Sequence, residues 1–339
     1  MKKTGLIVLL FICVFMLVAS VTAAEKQLTA LQVTEKITGE WQQSGKAFTY
    51  ASKDLANPEA TNYSGGATRT PCSDCHDGFV FSTGVFDEAR AFEGNATAFD
   101  CQACHTGAGA ELIKSGIVDA SMPQNKGSFI TENFEAGSGA LCITCHNNRR
   151  NPTDLVAKYK QGESAITLPH HEGGAASLFT GKGGAELPGV TYASSTAHTN
   201  LEDSCVTCHM PKTSEGYMSH TFAMEPAYIG EACGSCHVGA KDYNINGFQD
   251  EVAAKLEVLK KAIMEDVGIA TLEYDGHNWK YADAAGTEID KGAFSQEAYA
   301  AFYNFIMIQD DGSLGIHNPR YTMSLIDESY KALTGNPMP

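Results

Sequence analysis

The chain has 339 residues and is acidic, with 24 Lys and Arg against 40 Asp and Glu and a formal net charge of −16. This charge argues against nucleic acid or an anionic membrane surface as a partner, because both are themselves negatively charged.

The first 23 residues are typical of a secretory signal peptide. Lys2 and Lys3 form a charged start, an apolar stretch follows from Gly5 to Val18, and small residues near position 23 offer a cleavage site. A retained membrane anchor is the alternative, but the stretch is short for a bilayer span of about 20 residues. Without the two lysines, 22 basic and 40 acidic side chains leave a charge of −18. We therefore predict a periplasmic or extracellular protein with no membrane span after cleavage.

Beyond this segment, the pattern Cys-x-x-Cys-His occurs five times. Two thiols separated by two residues can each form a thioether bond to a vinyl group of one porphyrin, and the histidine after the second thiol then lies under the iron. The pattern therefore predicts five covalently attached haem c groups. The cysteines are Cys72 and Cys75, Cys101 and Cys104, Cys142 and Cys145, Cys205 and Cys208, and Cys233 and Cys236, and the histidines are His76, His105, His146, His209 and His237.

The cysteine count favours haem over zinc, the other ion that paired cysteines bind. Ten of the 11 cysteines belong to the motifs, and Cys13 lies in the signal peptide, where the preceding Ile12 makes it a poor lipoprotein acceptor. Five pairs cannot be divided evenly among four-ligand zinc sites, and zinc needs no histidine at a fixed place after each pair. Export also agrees with haem, which is attached covalently outside the cytoplasm.

The exported chain divides into a pentahaem-binding region, residues 24–245, and a helical C-terminal region, residues 246–339. Residues 70–240 are rich in Gly, Ala, Ser and Thr and show little periodicity. We predict short motif-bearing helices joined by loops that wrap the porphyrins and need them to hold a shape. The predicted fold class is mainly α with extensive loops, a multihaem cytochrome c with a haem-wrapped core and C-terminal helices.

The C-terminal region has the clearest helical signals. Apolar residues recur at helical spacing from Phe248 to Ile263. A polar insert, Glu273 to Lys291, predicts a small hairpin. A second helix is predicted to begin near the N-cap Ser295. The signals of the last helix are the cap Asn318, Pro319 at its first position and Gly335 just past its end.

Six of the 11 histidines lie outside the motifs and are candidates for the sixth position on each iron. Imidazole suits iron well, and six candidates for five irons predict that most or all haems have two histidine ligands. No methionine stands out as an alternative ligand. The six histidines are His170, His171, His198, His220, His277 and His317.

The candidates differ in position. His317 precedes the cap of the last helix, a rigid place from which to project a ligand, and His198 and His220 flank the fourth motif. The neighbours His170 and His171 point to opposite sides if their segment is extended, so they could serve two haems. The sixth, in the turn Asp275-Gly276-His277, is the one that we expect to be spare.

The stretch from His198 to His237 resembles the ammonia-forming cytochrome c nitrite reductases and their multihaem relatives. It contains the segment Cys205-Val-Thr-Cys-His-Met-Pro, and Gly315-Ile-His317-Asn-Pro before the last helix is similar to that family's C-terminal ligand segment. The order and spacing of the five motifs extend the resemblance over about residues 70–335.

The family's catalytic parts do not carry over. The resemblance implies a Cys-x-x-Cys-Lys motif at a substrate-binding haem, but the first motif here ends in His76. The family's tyrosine after the third motif is replaced by Asn147-Asn-Arg-Arg150. His198 matches an active-site position, and the alternative is that it ligates the first haem. Where multihaem cytochromes often have Trp-x-x-Ser-x-His, this chain has Trp41-Gln-Gln-Ser-Gly-Lys46. We interpret the lysine as a solvated side chain; the alternatives are that it leaves one haem open or is an unusual ligand.

Two functions follow from these residues. The first is electron transfer outside the cytoplasm along a row of haems with two histidine ligands. The alternative is an enzyme, a reductase of nitrite or hydroxylamine with one open iron, for which Lys46, Arg69, Arg149 and Arg150 could supply positive charge. The acidic chain works against anion capture, so we favour the carrier.

The expected partners of a carrier are other redox proteins: multihaem cytochromes, quinol-linked donors or terminal acceptors. Copies of the chain could also assemble end to end into an extracellular filament if a histidine of one copy ligated a terminal haem of the next. The sequence permits this assembly and does not require it.

Overall fold

The computed structural model describes residues 28–47, 73–86, 97–162, 166–169, 174–274 and 279–339. The signal peptide lies outside these ranges, so its assignment stays a prediction. The same holds for the roles of four candidate haem-binding residues and of one candidate cation, which are Cys72, His170, His171, His277 and Arg69.

The described chain is mainly helical, with two small two-stranded sheets. Its α-helices are α1 Ala30–Gln43, α2 Ser73–His76, α3 Gly78–Thr83, α4 Cys101–His105, α5 Gly107–Ser115, α6 Ala140–Cys145, α7 Pro152–Lys158, α8 Gly174–Thr180, α9 Thr196–Thr199, α10 Cys205–His209, α11 Ile229–Cys233, α12 Phe248–Val267, α13 Gln296–Asp311 and α14 Pro319–Thr334. Its strands are β1 Ile117–Val118, β2 Phe134–Glu135, β3 Thr271–Tyr274 and β4 Trp279–Ala282, paired antiparallel as β1 with β2 and β3 with β4. Short 3-10 turns lie at Gly45–Ala47, Pro123–Asn125, Gly137–Gly139, Pro226–Tyr228, Ile245–Gly247 and Lys291–Ala293.

The three long C-terminal helices confirm the predicted helical end of the chain. Helix α13 packs against both α12 and α14, and its residues from Ala298 to Ile308 are all buried. The apolar side of α12 faces the same core through Val252, Leu256, Leu259 and Ile263. This core also takes in α7 and the segment that contains Leu178, so part of the haem-binding region folds onto the C-terminal helices.

The caps of the last two helices also agree with the sequence. The Ser295 side chain accepts a hydrogen bond from the backbone N–H of Ala298, and the Asn318 side chain accepts one from Tyr321. Gly335 ends α14 in the left-handed conformation, which glycine adopts without steric strain. Strands β3 and β4 form the hairpin predicted in this region, although β3 begins two residues before the polar insert, at Thr271.

The haem-binding region consists of short helices and loops, as predicted. Each described motif lies at a helix of four to six residues. A second, smaller core lies beneath the third motif and contains Phe81, Leu112 and Ile143. Next to this core, Gly137 lies very close to the loop before the fourth motif, and a Cβ added to it would be 2.0 Å from the Glu202 carbonyl oxygen. The backbone angle φ of Gly137 is +54°, in the left-handed region. Only glycine fits such an approach.

Helix α1 is a feature that the periodicity of the sequence did not predict. It begins with a capping box formed by Thr29 and Gln32 and buries no residue fully. Its C-terminal end is attached to the haem-binding region, because the Trp41 indole donates a 2.8 Å hydrogen bond to the Phe99 carbonyl. Among the described residues, no helix has both the length and the apolar character needed to cross a bilayer.

Candidate haem-binding site

Three motif histidines each face a histidine from another part of the chain. The ring of His105 lies 6.4 Å from that of His220, the ring of His209 lies 6.1 Å from that of His317, and the ring of His237 lies 6.3 Å from that of His198, measured between ring centres. The second, fourth and fifth motifs are therefore each paired with one of the histidines predicted as ligands.

These separations fit a metal ion placed between the two rings. Two imidazoles on opposite faces of one ion have ring centres about 6.2–6.4 Å apart, given metal–nitrogen bonds of about 2.0–2.1 Å and about 1.1 Å from nitrogen to ring centre. Direct packing of two rings does not by itself require this distance between ring centres, yet all three histidine pairs have it. The residues present thus suit a haem iron at each of the three pairs.

Hydrogen bonds orient four of these rings. The Nδ1 atoms of His198, His209 and His220 lie 2.6, 3.0 and 2.8 Å from the carbonyl oxygens of Ile316, Phe222 and Met218. Since a carbonyl can only accept, Nδ1 must carry the proton, and Nε2 keeps its lone pair for a metal. Such hydrogen bonds are the usual means by which proteins orient histidine ligands.

His317 has a carboxylate partner instead of a carbonyl. Its Nδ1 lies 2.7 Å from a carboxylate oxygen of Asp311, whose side chain is fully buried. Burial alone would lower the pKa of His317, but the charge and hydrogen bond of Asp311 outweigh it and raise the pKa. When a metal replaces the proton on Nε2, the same carboxylate strengthens the ring as an electron donor.

His220 is held by a residue of α1. One Glu40 carboxylate oxygen accepts a 2.7 Å hydrogen bond from the backbone N–H of His220, and the other accepts one of 2.7 Å from the Tyr217 hydroxyl. Burial and this carboxylate both raise the pKa of Tyr217. Helix α1 therefore fixes the segment that brings His220 to the second motif, an arrangement with no motif signal in the sequence.

We expect Glu40→Ala to destabilise the protein by about 1.5–3 kcal/mol, since it removes hydrogen bonds to a charged, half-buried group. The EPR signal of the second haem should broaden because His220 loses its support. Urea denaturation followed by circular dichroism measures the first effect. Glu35→Ala, which removes an exposed carboxylate from the same helix, is the control; equal stability of the two variants would contradict the assignment.

The third motif faces a lysine. The Lys46 Nζ atom lies 2.9 Å from Nε2 of His146, and it lies 5.9 Å from the centre of the Phe99 ring. The interpretation of Lys46 as a solvated side chain is therefore wrong. The reason lies in the tertiary structure. A hydrogen bond ties the end of α1 to the chain next to the second motif, and this contact places Lys46 beside the histidine of the third motif.

The motifs lie next to one another through their thiols. The thiol of Cys75 hydrogen-bonds with Cys145, and that of Cys142 with Cys205, which joins the first, third and fourth motifs in that order. The hydrogen bond from Cys205 lowers the pKa of Cys142 to about 7, and burial raises the pKa of Cys104 to about 11. None of the described cysteines forms a disulfide, so all of them remain available for thioethers.

The positions that correspond to the reductase family's active site differ in this fold. His198 faces the fifth motif and not the first, which argues against the alternative that it ligates the first haem. The physical reason is its bond to Ile316, which draws the ring toward the C-terminal segment. Asn147 and Asn148, in place of the family's tyrosine, are buried. Burial raises the pKa of Asp74, and the nearby positive charge of Arg149 offsets only part of that rise.

Part of the chain is similar to a known family of cytochromes, and its fold is similar to that of a solved cytochrome. Residues 185–335, which carry the fourth and fifth motifs and the His317 segment, match the cytochrome c552 family. No curated protein is similar enough to count as a relative. The fold is similar to a solved structure, the outer cell wall cytochrome OcwA, with a TM-score of 0.51 and 21% sequence identity over 87% of this chain and 50% of that one. The chain thus spans about half the length of that cytochrome.

The match to the cytochrome c552 family covers the residues that carry the resemblance to the nitrite reductases, and the shared fold extends beyond them. Over residues 185–335 the chain is thus similar to the cytochrome c552 family, and its mainly α fold is similar to that of the outer cell wall cytochrome.

Proposed function

We propose that the chain is a pentahaem cytochrome that transfers electrons outside the cytoplasm. The observation that carries the proposal is the set of three histidine pairs, each made of a motif histidine and a distant one, at 6.1–6.4 Å. Bound haem supplies a one-electron iron couple. The protein's part is to fix the spacing, the ligands and the surroundings of each group.

Two imidazoles at one iron leave no coordination position for oxygen, nitrite or carbon monoxide. Ile316, Phe222, Met218 and Asp311 keep at least one ring of each pair in place, and both rings of the pair His209 and His317. Such rigid, closed sites suit electron transfer, in which ligands should not change between the two redox states. A reductase needs the opposite, an open position beside groups that deliver protons.

The contacts between thiols support a continuous row of sites. Cys75 with Cys145 and Cys142 with Cys205 place three motifs side by side. Burial raises the pKa of Cys208 in the fourth motif to about 11, and the nearby Cys233 of the fifth motif raises it further. Haems tethered to these adjacent thiols would lie close to one another, and fast electron transfer between them needs such short distances.

The location and partners follow from export and charge. The signal peptide and the covalent haem motifs both indicate the periplasm or the cell exterior, and the similar solved structure is an outer cell wall cytochrome. We propose other redox proteins as partners: multihaem cytochromes, quinol-linked donors or terminal acceptors. A further proposal is that copies of the chain assemble end to end into a filament. Negative-stain electron microscopy of the exported protein tests it.

Mass spectrometry and spectroscopy test the proposal together. The exported protein should carry the mass of five haems, and its oxidised EPR spectrum should contain only low-spin signals. Carbon monoxide added to the reduced protein should leave the absorption spectrum unchanged. Fewer than five haems, or a high-spin haem that binds carbon monoxide together with turnover of nitrite or hydroxylamine, would overturn the assignment as a carrier.

A further inference from the structure

We propose that Lys46 is the sixth ligand of the third haem, bound to the iron through its Nζ atom opposite His146. This inference rests on the proposed function, since it requires a haem at the third motif. It assigns a role to a residue outside the Cys-x-x-Cys-His motifs and makes one site chemically different from the three histidine pairs.

The direction of approach is the first support. The Lys46 amine lies 2.9 Å from Nε2 of His146. In His209, another motif histidine, Nδ1 bonds to a carbonyl and Nε2 is the nitrogen left for a metal. The amine therefore points at the metal-binding side of the third motif's histidine, where the distal histidine stands in the other pairs.

The distance is the second support. Two nitrogens on opposite faces of one metal ion lie about 4 Å apart, given bonds of about 2.0–2.1 Å. The amine therefore needs to withdraw by only about 1 Å from its position beside His146. A lysine side chain, with four carbons and several rotatable bonds, can do this without backbone movement.

The backbone at this position is fixed by neighbouring contacts. The Trp41 indole donates to the Phe99 carbonyl at 2.8 Å, which ties the end of α1 to the second motif. Ser44 is buried; its hydroxyl donates to the Trp41 carbonyl at 2.7 Å and accepts from the Lys46 backbone N–H at 3.2 Å. Position 46 is thus a built site, and the lysine does not reach His146 by chance from a loose chain.

The chemistry balances without a further reactant. A neutral amine has one lone pair, and Nζ gives it to the iron when its third proton passes to solvent. Lys46 is half-buried beside the Phe99 ring. No electron is gained or lost in forming the bond.

Three variants of the exported holoprotein test the proposal. Lys46→Ala should turn one haem per chain high-spin, and that haem should bind one carbon monoxide when reduced. Lys46→His should keep every haem low-spin. The EPR signal of the third haem, with its lysine and histidine ligands, should disappear, and a signal typical of a haem with two histidine ligands should replace it. Lys158→Ala, which removes an exposed lysine elsewhere, should leave the spectrum unchanged.

Two results would overturn the assignment of Lys46: a Lys46→Ala protein with only low-spin haems, or a Lys46→His protein whose EPR spectrum equals that of the natural chain. Because the mass is measured first, these results are distinct from failure of the proposed function. A chain with five haems and an unchanged Lys46→Ala spectrum refutes the lysine alone, whereas a chain with fewer haems refutes the pentahaem proposal.

Discussion

His317→Ala should convert one haem per chain from low-spin to high-spin and open it to carbon monoxide. The ring of His317 lies 6.1 Å from that of His209, and no other imidazole contact to His209 is present in the described residues. Loss of one of two axial ligands changes the potential of an iron more than most other substitutions, because axial ligands set it over a wide range. EPR of the oxidised protein and carbon monoxide titration of the reduced protein measure the change.

Asp311→Asn is the matched control for this prediction. It keeps the ligand and a hydrogen-bonding side chain but removes the buried negative charge beside His317. The haem should stay low-spin, and its potential should rise on the order of 0.1 V, as expected for a unit charge about 7 Å away at an effective dielectric constant of about 20. A His317→Ala protein with an unchanged spectrum would remove His317 from the set of ligands.

Phe302→Ala should destabilise the protein by about 3–5 kcal/mol, the range for truncating a buried aromatic residue. Phe302 is fully buried, stacks on Phe294 with ring centres 5.3 Å apart, and meets Tyr281 edge to face at 5.4 Å. It therefore joins α13 to the hairpin of β3 and β4. Guanidinium denaturation followed by circular dichroism of the holoprotein measures the loss.

Leu31→Ala serves as the control for the core variant. Leu31 is an apolar residue that is 67% exposed on α1, so its truncation should change the stability by no more than about 0.5 kcal/mol. Similar losses in the two variants would mean that the packing around Phe302 does not stabilise the fold as the structure indicates. Because α14 packs on α13, the core variant should also weaken the low-spin signal that depends on His317.

Local patterns in the sequence predicted the C-terminal helices and the haem motifs well. Helix α12 contains the apolar residues that recur at helical spacing from Phe248 to Ile263, and α14 is capped by Asn318 and Gly335 as predicted. Both signals could be found in the sequence because periodicity and caps depend on residues only a few positions apart. The five motifs are equally local, since both thiols and the histidine fall within five residues. Helix α1 was not predicted from the sequence, although it begins with the capping box of Thr29 and Gln32.

The sequence by itself predicted the residues that would bind haem and the candidates for the second ligand of each iron. Only the tertiary structure decided which ligand faces which motif: His198 lies opposite the fifth motif instead of the first, and Lys46 lies opposite His146, 100 residues away. The physical reason is that these pairs depend on long-range hydrogen bonds, such as that of His198 to Ile316 and that of Trp41 to Phe99. Contacts of this kind leave no periodicity or spacing in the chain that reasoning from local patterns could detect.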